Sequence, residues 1–423
     1  MAQLAADSAL RHSFAAYPTL AVAAVVTNAR HPIWLPAATQ PGAWAFAVLY
    51  SVESISRASL ASIVPIQAYD LLKDEQQVSL LYSFIGVAGI AATLFAPLIF
   101  RRIPRRYIYT AGALILVAAS GALATNTLAG QAVGMFGRVF GASTLSIVLN
   151  LYIMEFIPKH QLVRSESLRL ALSTLSWSVG PGFGVWLYTA YGPVAPYIWS
   201  GAWALVLVAI FWFFRLSADP AISPGPLRPV KPLANVAGFV AQPRLRLAWL
   251  IAFGRSCYWS TFFIYAPILM VAAGEGKMSG GIVVSAGNAL LFLAIGWGRL
   301  GGRIGVRAVV VLSFVAAGAA AILAGVAGVE HPWFAAWFLL AGVVFAVALD
   351  AVGSAPFLRA VHVYERPQMT AVYRTYLDMS ELLPPLAYAI ILGFTGLGGV
   401  FVALGIFSAF CAWLSWRHLP RSM

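Results

Sequence analysis

Apolar residues in this 423-residue chain come in long runs, separated by short clusters of charge, glycine and proline. Twelve runs stand out: Ala43–Tyr69, Gln76–Phe100, Tyr107–Asn126, Ala129–Phe156, Leu168–Tyr191, Val194–Arg215, Arg246–Ala273, Ser279–Leu300, Val306–Gly328, Pro332–Phe357, Met369–Thr395 and Leu397–Trp416. A helix needs roughly 20 predominantly apolar residues to cross the hydrocarbon core of a bilayer, and each run supplies about that many. None shows the period-2 alternation of a barrel strand, and lipid leaves no backbone group unpaired. The pattern predicts an all-α membrane protein with twelve transmembrane helices.

The polar punctuation repeats. After the second run the chain reads Pro97-Leu98-Ile99-Phe100-Arg101-Arg102-Ile103-Pro104-Arg105-Arg106, and at the end of the eighth it reads Gly298-Arg299-Leu300-Gly301-Gly302-Arg303-Ile304-Gly305-Val306-Arg307. Arg102, Ile103 and Arg106 fall on Arg303, Ile304 and Arg307 at a constant offset of 201 residues, close to half the chain. A duplicated six-helix unit explains this.

The cassette resembles the loop Gly-x-x-x-Asp-Arg-x-Gly-Arg-Arg between the second and third helices of each half in the major facilitator superfamily. Gly298, Arg303, Gly305 and Arg307 match in the second copy, and Arg102, Arg105 and Arg106 in the first. Both copies lack the acidic residue, with Arg101 and Gly302 in its place, and Pro97 and Pro104 replace the glycines of the first. The resemblance implies two pseudo-symmetric six-helix bundles, a substrate site between them near the midplane, and rocking of one half against the other. The expected organisation is an extension over residues 1–42, bundles over 43–216 and 244–423, and a proline-rich cytoplasmic linker over 217–243.

Composition agrees with the runs: 61% of residues are hydrophobic, 10% are charged, and the mean hydropathy is +0.83. The net charge of +13 does not point to nucleic acid, because of where it lies. Of 27 Lys and Arg, three fall mid-run (Arg57, Arg138, Arg255) and two in alternate connections (Lys73, Lys277); Asp70, Asp74, Glu75, Glu275 and Glu330 lie on that same second side. This is the positive-inside pattern, which puts both termini and the linker in the cytoplasm of a cell, with a bacterial inner membrane as the expected site. The basic ends meet anionic lipid headgroups. Cys257 and Cys411 lie within runs, give no disulfide framework or metal spacing, and are expected to be packing residues.

Charges inside the runs are the informative exceptions: Glu53, Arg57, Arg138, Arg255, Asp350, Asp378 and Glu381. Each costs about 2.5–3.5 kcal/mol on insertion scales, so together they point to an aqueous cavity. Glu53 and Arg57 are one helical turn apart, with Tyr50 on the same face, and can pair within their own helix. Burial disfavours a charged carboxylate and a nearby guanidinium favours it. Movement of Arg57 or Arg138 past Glu53 would then switch its protonation and make it a proton carrier. A self-neutralising pair that merely makes the helix tolerable in lipid is the competing reading.

Arg138 stands in Gly137-Arg138-Val139-Phe140-Gly141, which resembles the mid-helix Arg of proton-coupled exporters of the superfamily; a glycine packing face with Arg138 tied to Glu53 is the structural alternative. Gly180, Pro181 and Gly184 resemble the Gly-Pro-x-x-Gly-Gly element of its antiporters, and predict a kinked, tightly packed fifth helix. In the eleventh run Arg374, Asp378, Glu381 and Pro385 share a narrow arc, and Pro384-Pro385 is expected to disrupt the helix. Asp378 and Glu381 form a second candidate proton or cation site, or Asp378 pairs with Arg374. Tyr50, Arg255, Tyr258, Trp259 and Asp350 are the candidate substrate-cavity residues; a facing pair of Arg255 and Asp350 fits the architecture but is not readable from the sequence.

Gly296-Trp297-Gly298-Arg299-Leu300-Gly301 spells G-x-G-x-x-G but ends a membrane helix, so it makes no dinucleotide site. Walker A, His-Glu-x-x-His and Gly-x-Ser-x-Gly patterns are absent from the sequence. The expectation is a monomeric proton-coupled antiporter exporting a small or amphipathic organic molecule. It needs no cofactor, metal or nucleic acid, is not an enzyme, and has a substrate, protons and the lipid bilayer as partners. An importer of organic anions bound by Arg57, Arg138 and Arg255 is the alternative, as is a non-transporting sensor or assembly subunit.

Overall fold

A computed structural model describes residues 42–100, 103–157, 162–214, 232–361 and 366–420. All regular structure among them is helical. The first half comprises α1 (Ala43–Ala58), α2 (Ile63–Leu72), α3 (Glu75–Phe100), α4 (Arg105–Ala124), α5 (Leu128–Phe156), α6 (Leu162–Tyr191) and α7 (Ala195–Phe213). A short α8 (Pro232–Ala241) precedes α9 (Pro243–Ala272), α10 (Lys277–Ala289), α11 (Ala294–Ile304), α12 (Val306–Ala327), α13 (Pro332–Val352), α14 (Ala355–Ala360), α15 (Arg366–Tyr373), α16 (Thr375–Leu392) and α17 (Gly398–His418).

These helices follow the twelve apolar runs, with four runs interrupted inside. The first breaks at Ser59–Ser62 between α1 and α2, and the eighth passes through a 3-10 turn at Leu290–Leu293 between α10 and α11. Breaks also separate α13 from α14, and α15 from α16 at Arg374. Seven helical segments are long and apolar enough to cross a membrane by length and composition: Arg105–Ala124, Leu128–Ile153, Ala195–Phe213, Lys277–Ile304, Val306–Ala327, Pro332–Ala360 and Gly398–His418. The helices carrying Glu53, Arg57, Arg255, Asp378 and Glu381 are not among the seven: α1 has only 16 residues, and polar and aromatic side chains dilute the apolar content of α9 and α16.

Helix ends follow local chemistry. Thr127 accepts a hydrogen bond from Gly130 N at 3.1 Å and so starts α5. Gly305 joins α11 to α12 at φ 90°, a conformation open to glycine and costly for other residues. Its counterpart in the first half is Pro104, at the N-terminus of α4 in extended backbone. The two copies of the cassette therefore enter the next helix through opposite residue types and different backbone conformations.

Two expectations need correction. Pro384 and Pro385 lie inside a continuous α16, which runs from Thr375 to Leu392. Their missing N–H groups release carbonyls near Ser380 and Glu381, next to the cavity described below, and membrane helices tolerate proline where freed carbonyls meet polar surroundings. The stretch expected to be linker also holds the helix α8 over its last part. Residues 1–41 and 215–231 lie outside the described residues.

Packing repeats between the halves. Helix α4 packs against α5 and α7, as α12 packs against α13 and α17. Glycines bring α12 and α17 close: an added Cβ on Gly318 would lie 2.9 Å from Gly405 O, and one on Gly325 2.5 Å from Gly398 O. The outer surface is apolar, with Phe394, Phe213 and Trp337 among its most exposed side chains. Such a belt is a liability in water and ordinary against lipid. Cys257 and Cys411 are buried free thiols in the second half, as expected of packing residues.

Candidate substrate cavity and charge network

Glu53 and Arg57 occupy consecutive turns of α1, and Arg57 Nη1 lies 3.2 Å from Glu53 Oε1. Access differs sharply between the two: the Glu53 side chain is 1% exposed and that of Arg57 35%. Arg57 lines a cavity of about 400 Å³, with its guanidinium carbon 6.0 Å from the Trp177 ring centre. Glu53 Oε2 has no hydrogen-bond partner among the described residues.

Arg138 does not reach Glu53. Its Nη2 donates to the carbonyl oxygen of Arg57 at 3.1 Å. The break after Ala58 explains this, because a helix terminus exposes carbonyls that lack an i+4 donor, and a cation placed there satisfies one and complements the helix dipole. The glycines beside Arg138 pack as well: an added Cβ on Gly137 would lie 3.0 Å from Ala119 Cβ, and one on Gly141 3.0 Å from Gly112 O. The glycine packing face is therefore present, while the tie considered between Arg138 and Glu53 is replaced by one to the Arg57 carbonyl. Tyr50 turns away, with the Arg169 guanidinium 4.6 Å from its ring centre, and does not line the central cavity.

In the second half Arg255 and Asp350 meet, Nη1 to Oδ1 at 3.2 Å. Asp350 Oδ2 also accepts from Trp259 Nε1 at 2.8 Å, and Arg255 Nη2 donates to the Tyr376 hydroxyl at 2.9 Å. Tyr258 is a correction: it is buried among core residues and donates to Leu339 O at 2.9 Å, so it braces α9 against α13 instead of lining the cavity. One position along a helix turns a side chain by about 100°, which separates Tyr258 from the cavity-lining Trp259.

A second cavity, of about 500 Å³, lies between the halves. The first half contributes Tyr82, Arg138 and Trp177; the second contributes Arg255, Trp259, Phe263, Asp350 and Glu381. Glu381, Gly86, Val139 and Leu377 border both cavities, so the two adjoin there. The 400 Å³ cavity extends past Asn150 and Arg374 toward the ends that carry the repeated cassettes. Asp378 and Arg374 both line it and form no ion pair with each other among the described contacts.

The opposite end is held shut. Lys277 Nζ lies 2.5 Å from Asp70 Oδ2 and donates to the Tyr188 hydroxyl at 3.1 Å. Gln76 Nε2 donates to Ala389 O at 2.9 Å, and the Ser79 and Tyr265 hydroxyls are 2.7 Å apart. Ala68 and Val78 of the first half are buried in the same apolar cluster as Tyr265 and Tyr388. Spacing could not reveal these contacts, because each joins residues from different halves. Trp177 was legible only as part of the glycine-proline tract, yet it meets Phe263 of the other half edge to face, centroids 5.7 Å apart.

In that tract Gly180 and Gly184 press on the end of α1. An added Cβ on Gly184 would lie 1.6 Å from Ser59 O, and one on Gly180 2.6 Å from Ala58 Cβ. Helix α6 runs through Pro181 without ending. Arg106 packs on Tyr107 at 4.9 Å, and Arg307 Nη2 donates to Trp416 O at 2.5 Å. Gly298 and Arg303 lie in α11, and Arg102 lies outside the described residues.

A cavity bounded by both halves, shut at one end and lined with paired and unpaired charges, is the arrangement of an alternating-access carrier. Residues 46–297 match the family model described as Major Facilitator Superfamily. The chain belongs to that superfamily. Solved structures of similar fold include the peptide transporter POT in complex with sulfate (13% identity, TM-score 0.71, covering 90% of this chain and 96% of that one). A second is the nucleoside transporter NupG (13% identity, TM-score 0.66, 89% and 98% covered). A POT family transporter in complex with 5-aminolevulinic acid is a third (12% identity, TM-score 0.68, 88% and 95% covered). No curated protein matches the chain by sequence. At these identities the structural likeness speaks for the fold. Fold and family together make this superfamily member a multi-pass membrane transporter.

Proposed function

We propose that this protein is a proton-coupled antiporter that exports a small or amphipathic organic molecule through the cavity between its halves. It works as a monomer in a cell membrane, with both termini and the cassette loops cytoplasmic, and it catalyses no covalent chemistry. The observation that carries the proposal is the uneven Glu53–Arg57 pair: a sealed carboxylate with one unsatisfied oxygen, tied to a guanidinium that faces the cavity. Drawing Arg57 toward a substrate would leave Glu53 a buried, uncompensated charge, and taking up a proton removes that penalty. Substrate binding and protonation are thereby linked through one side chain. The positive-inside distribution of Lys and Arg supports the orientation.

An anion importer fits less well, because two of its three supposed binding cations already face carboxylates: Arg57 has Glu53 and Arg255 has Asp350. The test is flux in proteoliposomes, using a solute found by ligand-dependent thermal shift. Glu53→Gln is expected to abolish accumulation driven by a pH gradient while labelled solute still exchanges across the membrane. Retained uphill accumulation by Glu53→Gln would move the proton carrier to Glu381 or Asp378.

A further inference from the structure

We propose that the 500 Å³ cavity receives a small zwitterion with an apolar body, its ammonium group held by Glu381 and its carboxylate by Arg138. The inference rests on the reading of this cavity as the substrate site and adds the chemical class. It comes from sorting the cavity's charges by partner. Arg57 is answered by Glu53 and Arg255 by Asp350, each at 3.2 Å. Arg138 and Glu381 have no ion pair among the described contacts; Arg57 acts on Glu381 through the field of the adjoining cavity, without a bond. Arg138 spends one Nη on the carbonyl of Arg57 and has no carboxylate partner among the described contacts. Glu381 forms no ion pair or hydrogen bond among them, although it is open to the cavity.

These two charges have opposite signs, sit on opposite halves and border one cavity. Trp177, Phe263 and Trp259 furnish its aromatic wall, with Phe263 5.7 Å from Trp177 and 5.8 Å from Trp259 between ring centres. The volume falls within the roughly 300–1,000 Å³ of small-molecule sites. A cation alone would leave Arg138 desolvated without an anion, and an anion alone would do the same to Glu381. A closed site penalises either mismatch, whereas a zwitterion meets both charges. Such a ligand also touches both halves at once.

Equilibrium dialysis of the purified full-length chain in detergent tests this with three probes that share one ring and chain. They are the amino acid phenylalanine (zwitterion), phenethylamine (cation only) and 3-phenylpropionate (anion only). Phenylalanine is expected to bind at least about tenfold more tightly than either of the others, the worth of one charge-assisted contact. Arg138→Gln should lower phenylalanine to the level of phenethylamine, and Glu381→Gln should lower it to the level of 3-phenylpropionate. Arg138→Lys and Glu381→Asp should keep the preference, which separates lost recognition from lost folding. Equal or tighter binding of phenethylamine, or no binding of phenylalanine, overturns the proposal. No proton gradient is present in this measurement, so its failure leaves the proton-coupling reading standing, and a negative Glu53→Gln flux result leaves this one standing.

Discussion

Among the described residues each half holds one Arg–carboxylate pair at 3.2 Å, and the two pairs are built differently. In the second half both oxygens of Asp350 are occupied, by Arg255 and Trp259, and Arg255 is also tied to Tyr376. In the first half Glu53 has Arg57 on one oxygen and, among the described residues, no hydrogen-bond partner on the other. The same two chemical groups therefore make a completed network in one bundle and an incomplete one in the other. A satisfied buried network rigidifies its surroundings, whereas a half-satisfied one lies closer in energy to its alternatives. The difference teaches that satisfaction of the second oxygen, more than distance, separates a brace from a switch.

The largest expected effect comes from breaking the brace. Asp350→Ala leaves Arg255, only 14% exposed, without its carboxylate and strips Trp259 of its acceptor. Thermal unfolding in detergent should show a loss of about 3 kcal/mol. Glu53→Gln should do far less, about 1 kcal/mol or less in either direction, because the amide oxygen still accepts from Arg57 and a buried charge is removed. Comparable losses in the two variants would erase the distinction between brace and switch. The smallest effect concerns reach. Since Arg138 contacts the backbone of Arg57 and not Glu53, a double-mutant cycle between Glu53→Gln and Arg138→Gln should give a coupling below about 0.5 kcal/mol. The Glu53–Arg57 cycle should exceed it clearly, and equal couplings would put Arg138 inside the switch.

Much of the fold was written in the hydrophobic runs, since every run has a helix or an interrupted pair of helices over it. The Glu53–Arg57 pair was equally legible, because a four-residue spacing on one helix fixes which side chains meet. The break at Ser59–Ser62 was not. Pro65 in the first turn of α2 is its local sign, since it offers no N–H to Ala61 O, and the rest of the cause lies elsewhere in the chain, where Gly180 and Gly184 press on Ala58 and Ser59. Pro384-Pro385 misled for the converse reason: a strong local signal was overridden by the surroundings of α16. That Arg255 would meet Asp350 was plausible from the architecture, while its completion by Trp259 and Tyr376 required the packed structure. Tyr258 and Trp259 show the limit most plainly, since neighbours in sequence went to opposite sides of one helix.

The tract around Pro181 serves two mechanical purposes at once. On one side Gly180 and Gly184 leave no clearance against α1, so α6 and α1 are welded and must travel together. On the other side Gly182 N donates to the hydroxyl oxygen of Ser285 at 2.8 Å, and an added Cβ on Gly281 would lie 3.3 Å from Gly182 Cα. Small residues meet here, and the buried Val185 side chain sits on Gly281, where an added Cβ would lie 2.9 Å from its Cγ2. A turn of one half against the other would pivot on this small-residue seam, and the close packing behind it would bring α1, and with it Glu53, along.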